Sequence, residues 1–358
     1  MNRRAPTLAL DPLATPSAAE LALPLEALRR GLPIGLPSET LYAVAARAEA
    51  LTPAARGAWA ARGAEPRWTW LVRANAQLER LPQRGQLVAR LVERYWPGPL
   101  TLLVPGLVAG VEAAAEDGWT ALRRPASAAA QAVLQACEVD VLSADAGARD
   151  ALALDQRFGA ELACVLDSGP TQLGEASVVL AVGPGRFELV RPGIIDLNAL
   201  RSAAGLRIGF VCTGNTCRSP MAEGLARALL AQRLGVAPAR IGDFGFSVSS
   251  MGVHASFGAP ASSHSVSVLA ERGIDLSEHS SQPATPDLLG RLDRVYALTR
   301  SHLEALQHVL PPGRARHCAL LDPSNRDIAD PIGGPRSEYA AVAAQIASAL
   351  ERRAQEWV

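Results

Sequence analysis

The tightest constraint on what this chain can fold into lies in its second half. Leu206-Arg207-Ile208-Gly209-Phe210-Val211 is a short apolar run, a polar loop follows, and Met221 to Leu230 then shows helical periodicity. The run reads as a buried strand. Strand, loop and helix in that order open a parallel α/β domain. The alternation continues downstream. Ser262 to Arg272 is predicted as a helix ending at Gly273, and Arg294 to Leu298 as a strand. Ser301 is predicted to cap a helix through Leu310, stopped by Pro311-Pro312-Gly313, and Ser337 to Arg353 forms a final amphipathic helix.

At 358 residues the chain is long enough for two domains with a core in each. The boundary signal lies at Leu200 to Gly205, after a strand at Phe187 to Val190 that closes into a Pro192-Gly193 turn. The domains are therefore expected at residues 1–202 and 206–355. In the first, Leu23 to Arg30 and Leu87 to Tyr95 read as helices, and Val139 to Leu142 and Ser177 to Val182 as strands. No 20–50-residue repeat relates the halves.

The chemistry concentrates in Cys212-Thr213-Gly214-Asn215-Thr216-Cys217-Arg218-Ser219-Pro220, between the strand and the helix. Backbone amides at a helix N-terminus form an anion nest, with the positive end of the helix dipole behind it. A phosphate held there would receive Arg218 as a bidentate clamp, with Cys212 beneath the phosphorus. The same positive field favours a nucleophilic thiolate, to which Ser219 could donate. Displacement at phosphorus also needs an acid for the leaving group, and Asp330, in Asp330-Pro331-Ile332-Gly333-Gly334, offers one.

These residues, with Ser249-Ser250-Met251-Gly252, Gly273-Ile274-Asp275-Leu276 and the Asp293 to Thr299 stretch in order, resemble the low-molecular-weight protein phosphatases. The resemblance covers residues 206–355 and implies a metal-independent, cofactor-free phosphatase acting on phosphorylated protein through a phosphocysteine. It implies Cys212 as nucleophile, Arg218 as phosphate clamp and Asp330 as general acid, with Thr213, Gly214, Asn215, Thr216, Cys217 and Ser219 around the phosphate. Cys217 would be the thiol that protects Cys212 by a reversible disulfide. Thr216, and the lack of aromatic residues after Asp330-Pro331, resemble the branch acting on phosphoarginine rather than phosphotyrosine, although Ile332 departs from that branch's phenylalanine.

Residues 21–200 resemble the YrdC-type threonylcarbamoyl-AMP synthases through Pro37 to Tyr42, Trp96 to Thr101 and Arg191-Pro192-Gly193. The resemblance implies a twisted α/β sheet with a concave, positively charged cavity, formed here by Ser38, Thr40, Tyr42, Arg62, Arg123, Ser143, Asp145, Ser177 and Arg191. That family joins ATP, threonine and bicarbonate, and uses a lysine-x-arginine pair and a serine-x-asparagine pair. Here those positions read Arg62-Gly63-Ala64 and Ser143-Ala144-Asp145, which removes a cation and adds an anion. Trp68 and Trp70 stand where the family has a small Pro-Leu-like segment. Three readings follow for this half: a synthase, which would make the chain bifunctional; a non-enzymatic module or sensor that binds nucleotide, RNA (double-stranded RNA included) or phosphorylated protein; or a structural partner.

Composition narrows the field. All 35 basic residues are arginine, which excludes lysine nucleophiles, Schiff bases and P-loop lysines. A net charge of zero argues against a tail-driven nucleic-acid binder. Five scattered cysteines do not make a secreted disulfide framework, Met1-Asn2-Arg3-Arg4 leads into no apolar signal core, and no run is long enough for a membrane span. The expected location is the cytoplasm. The six histidines, His254, His264, His279, His302, His308 and His317, show no metal-ligand spacing and read as surface or packing residues.

Overall fold

The computed structural model describes residues 4–12, 14–82, 85–310 and 317–358; the Met1-Asn2-Arg3 start and the Pro311-Pro312-Gly313 stop lie outside them. The chain forms two compact units, Met1–Ala199 and Leu200–Val358. The stretch Leu200 to Gly205 is mostly helix α6 (Leu197–Ala204), which buries Leu200 and Ala204, and the division between the units falls at its Leu200 end.

The first unit carries strands β1 (Thr7–Ala9), β2 (Ile34–Leu36), β3 (Tyr42–Arg47), β4 (Thr69–Leu71), β5 (Leu100–Pro105) and β6 (Ala115–Glu116). Strands β7 (Trp119–Arg123), β8 (Val141–Ala148), β9 (Val165–Asp167), β10 (Val178–Gly183) and β11 (Arg186–Arg191) complete it. Among the described residues they form one mixed sheet, ordered β1-β9-β2-β3-β8-β4-β7-β5-β10-β11, with β6 beside β7. Its helices are α1 (Ala18–Arg29), α2 (Pro53–Ala61), α3 (Gln86–Tyr95), α4 (Ala128–Ala136) and α5 (Ala151–Phe158).

Two differences from expectation have local causes. Helix α1 begins at Ala18 rather than Leu23, because Ser17 and Glu20 close a reciprocal capping box one turn earlier. Strand β8 runs on to Ala148, since buried Ala144, Ala146 and Ala148 alternate with Ser143 and Asp145, which line a cavity. The same alternation in β4 sends Thr69 and Leu71 to that cavity, joined by Arg67 from the bend just before the strand. Trp68 and Trp70 are 1% and 0% exposed in the core instead, so they do not fill it.

The second unit has strands β12 (Arg207–Cys212), β13 (Ser247–Gly252), β14 (Arg294–Ala297) and β15 (Cys318–Leu320), all parallel and ordered β13-β12-β14-β15. Helices α7 (Arg218–Leu234), α8 (Ser263–Ala270), α9 (Pro286–Gly290), α10 (Arg300–Val309) and α11 (Arg336–Arg353) cover both faces. Val211, Val295 and Ala297 pack with Leu289 of α9 and Leu306 of α10. On the opposite face, ring centroids run Phe210 to Tyr296 at 5.9 Å and Tyr296 to Trp357 at 5.8 Å. The chain leaves β12 for β13 on one side and later reaches β14 on the other, so the carboxyl end of β12 is a topological switch point, where open α/β sheets bind ligands. No helix among the described residues is long and apolar enough to cross a membrane.

Candidate active site

Cys212 ends β12 and Arg218 begins α7, so residues 213–217 span the switch point as a loop. Its carbonyls are tied outward. Cys212 O accepts from Val253 N, Thr213 O from His254 N, Asn215 O from His279 Nε2, Thr216 O from Ser262 N, and Cys217 O from Met221 N. A trans peptide sets each carbonyl opposite the next residue's N–H, so the loop amides turn towards its centre. Asn215 takes the left-handed conformation (φ 55°), which asparagine tolerates better than most residues. Gly252 packs so closely on Thr213 O and Asn215 N that a Cβ there would displace the loop. The outcome is a rigid concave ring of N–H groups, with the first-turn amides of α7 lacking intrahelical partners at its rim.

The thiol lies inside that ring. Cys212 Sγ is 3.0 Å from Ser219 Oγ and accepts from Asn215 N at 3.3 Å. Asn215 Nδ2 donates to Ser219 Oγ and Ser250 Oγ, both at 2.9 Å, while Ser250 Oγ donates to Glu223 at 2.8 Å. Because Ser219 Oγ already accepts from Asn215, its single proton chooses between Met251 O at 3.3 Å and Cys212 Sγ. The geometry thus lets Ser219 donate to Cys212 Sγ.

Arg218 is 5% exposed, and its Nη2 donates to Asp330 Oδ2 at 2.6 Å and Thr213 Oγ1 at 3.5 Å. Asp330 Oδ1 accepts from Ile332 N, which fixes the Asp330-Pro331 turn. The three expected catalytic groups thus converge: thiol in the ring, guanidinium at its rim, carboxylate on the guanidinium. Thr216 is half-buried at the mouth, with Oγ1 3.7 Å from Cys217 Sγ, and Cys217 Sγ is 3.6 Å from Tyr339 Oη. Both loop cysteines are free thiols.

Two histidines expected to be surface or packing residues belong to this site. His279 holds the Asn215 carbonyl at 2.7 Å. His302, 4% exposed, stands 2.9 Å from Thr213 Oγ1 and 2.8 Å from Thr299 Oγ1. Helix α10 is capped by Thr299, not Ser301, because the Thr299 hydroxyl accepts from His302 N. Among the described residues no cluster of histidines, cysteines and carboxylates could hold a metal.

In the first unit a cavity of about 50 Å³ gathers Ser38, Thr40, Arg123, Ser143, Asp145, Ser177 and Arg191, together with Glu65, Arg67, Thr69 and Thr101, which sequence reasoning missed. Arg62 does not line it; it caps α2 and pairs with Glu161. Tyr42 is buried beside it, donating to Gly169 O at 2.7 Å, and burial pushes its hydroxyl up to about 12.

ATP would need free cations for its phosphates. Arg123 spends its three nitrogens on Gly98 O, Thr40 Oγ1 and Glu39 Oε1, and Arg191 spends its three on Ser177 O, Ser177 Oγ and Glu65 Oε2. Arg67 is paired with Glu116. The Arg123–Glu39 pair is buried, and breaking such a pair costs roughly 3–5 kcal/mol. Asp145 adds another carboxylate to the lining. A triphosphate binding here would have to displace these carboxylates from the arginines.

Residues 207–357 match the family model described as low molecular weight phosphotyrosine protein phosphatase, and residues 26–193 match that of Sua5, YciO and YrdC, described as telomere recombination. A protein-arginine-phosphatase from Geobacillus stearothermophilus is 35% identical over 42% of this chain and 95% of its own. A probable low molecular weight protein-tyrosine-phosphatase, EpsP, from Ralstonia nicotianae is 36% identical over 34% of this chain and 74% of its own. The solved YwlE arginine phosphatase from Geobacillus stearothermophilus shares 33% identity, covering 42% of this chain and 92% of its own, with a TM-score of 0.36.

Proposed function

Through residues 207–357 the chain belongs to the low molecular weight phosphotyrosine protein phosphatase family, and on that premise we propose that Cys212 attacks phosphorus and carries a phosphocysteine. The observation that carries this reading is a thiol inside a ring of inward amides, with the Arg218–Asp330 pair at its rim. A bound phosphoryl dianion takes the Arg218 fork and frees Asp330. Asp330 takes up a proton from solvent as substrate binds and gives it to the leaving atom while sulfur bonds to phosphorus; it then takes one from the water that attacks the phosphocysteine, the S–P bond breaks, and inorganic phosphate departs with the Cys212 thiolate restored.

The substrate we infer is phosphoarginine in protein, in preference to phosphotyrosine. Thr216 brings a hydroxyl to the loop, where a guanidino group can meet it, and this is the feature that supports phosphoarginine. The test is hydrolysis of matched phosphoarginine and phosphotyrosine peptides. The wild type is expected to favour phosphoarginine in kcat/KM, and Thr216→Ile to move the ratio towards phosphotyrosine by about tenfold or more. A wild type faster on phosphotyrosine would overturn the assignment.

For the first unit the engaged arginines support a binding or structural role rather than ATP-dependent synthesis. Titration calorimetry of the full chain with Mg-ATP is expected to give no binding tighter than about 1 mM. Pyrophosphate release requiring threonine and bicarbonate would reverse that reading.

A further inference from the structure

We propose that His302 is a positioning residue: its Nε2 accepts the Thr213 hydroxyl proton and so turns the oxygen lone pair of Thr213 towards Arg218. The inference rests on the phosphatase reading of the loop, but its geometry is independent of the substrate.

The proton count along this chain of contacts has one direction. Arg218 only donates, so Thr213 Oγ1 accepts from its Nη2 at 3.5 Å. Thr213 keeps a proton, and beside a guanidinium that proton is best aimed away from the cation, at His302 Nε2, 2.9 Å distant. The other ring nitrogen then carries the hydrogen and donates to Thr299 Oγ1 at 2.8 Å. In the opposite tautomer, Thr213 Oγ1 would take two donors, one of them cationic, and its own proton would face no acceptor among these contacts, whereas Thr299 Oγ1, which also takes His302 N, can pass its proton to Ser301 Oγ at 2.9 Å.

The ring must be neutral for this, and its surroundings keep it so. Burial pushes His302 down to about 4, and Arg218 acts in the same direction, as does His254 more weakly; Asp330 and Asp327 oppose them. Thr299 is also the cap of α10, so the first turn of that helix fixes the imidazole and the imidazole fixes Thr213. The clamp is thereby referenced to a helix of the scaffold rather than to its own loop.

Two side chains separate this role from simple packing. Asparagine at 302 puts its amide where Nδ1 was, keeping the Thr299 contact and losing the acceptor for Thr213. Glutamine puts its amide oxygen where Nε2 was. In the full chain, with p-nitrophenyl phosphate as substrate, His302→Asn is expected to lower kcat/KM about tenfold and to weaken inhibition by inorganic phosphate in step. His302→Gln is expected to recover most of both. Long-range ¹⁵N–¹H spectra of the wild-type ring at neutral pH are expected to show hydrogen on Nδ1.

Equal loss in both variants, or hydrogen on Nε2, would overturn the proposal. If both variants unfold, the wild-type tautomer decides alone. Wild-type turnover that is absent or independent of Cys212 would count against the phosphatase reading, and the tautomer would still decide the role of His302.

Discussion

Cys212→Ser is expected to lower kcat for p-nitrophenyl phosphate by at least about 10⁴-fold while leaving the fold intact. Serine matches cysteine in shape, and the site around Cys212 Sγ is made of donors, Asn215 N and Ser219 Oγ, that a hydroxyl accepts from equally well. What changes is the nucleophile: a hydroxyl does not ionise in this field as a thiol does, and among the contacts of residue 212 no base stands ready to take its proton. Binding of inorganic phosphate should persist, because the amide ring and Arg218 are untouched. Measured turnover within tenfold of the wild type would exclude the phosphocysteine route.

Asp330→Asn is expected to separate the two jobs that we propose for one carboxylate. Loss of the general acid should slow kcat by about 10²–10³-fold for leaving groups that need a proton, and much less for activated aryl phosphates. The same change removes the carboxylate that holds Arg218 Nη2 at 2.6 Å, so inorganic phosphate should bind more tightly than to the wild type. Slower turnover with tighter product binding is the signature; slower turnover with weaker binding would mean that Asp330 orients Arg218 rather than competing for it.

The reach of sequence reasoning followed the distance over which each contact is made. The Cys212 to Ser219 loop was legible because nucleophile, clamp and supporting hydroxyl lie within eight consecutive residues, bracketed by a strand and a helix with strong patterns. His302 and His279 were not, since their partners Thr213 and Asn215 lie 89 and 64 residues away and nothing local marks the pairing. Thr299 and Ser301 are near-equivalent caps by type, and only the direction of the backbone decides between them.

In the first unit, motif spacing put the cation at Arg62, yet Arg67, in the bend just ahead of β4, lines the cavity and Arg62 pairs with Glu161. The capping box at Ser17 and Glu20 is wholly local, a serine three residues ahead of a glutamate, and so is written in the sequence. What no pattern could reveal is that Arg123 and Arg191 are satisfied from within, because ion pairing depends on which carboxylates the sheet brings across from Glu39 and Glu65.

The Arg218–Asp330 contact has a consequence for how the enzyme behaves in a crowded solution of acids. A positive pocket open to solvent would be filled by chloride, free carboxylates and acidic side chains of every passing protein. Here each of them must outcompete a carboxylate already tethered at 2.6 Å, whose effective concentration is that of an intramolecular neighbour. A singly charged anion offers Arg218 little that Asp330 does not, whereas a phosphoryl dianion offers more charge and fills the amide ring besides. The resting protein carries its own weak competitor, and that competitor sets the threshold a ligand has to clear.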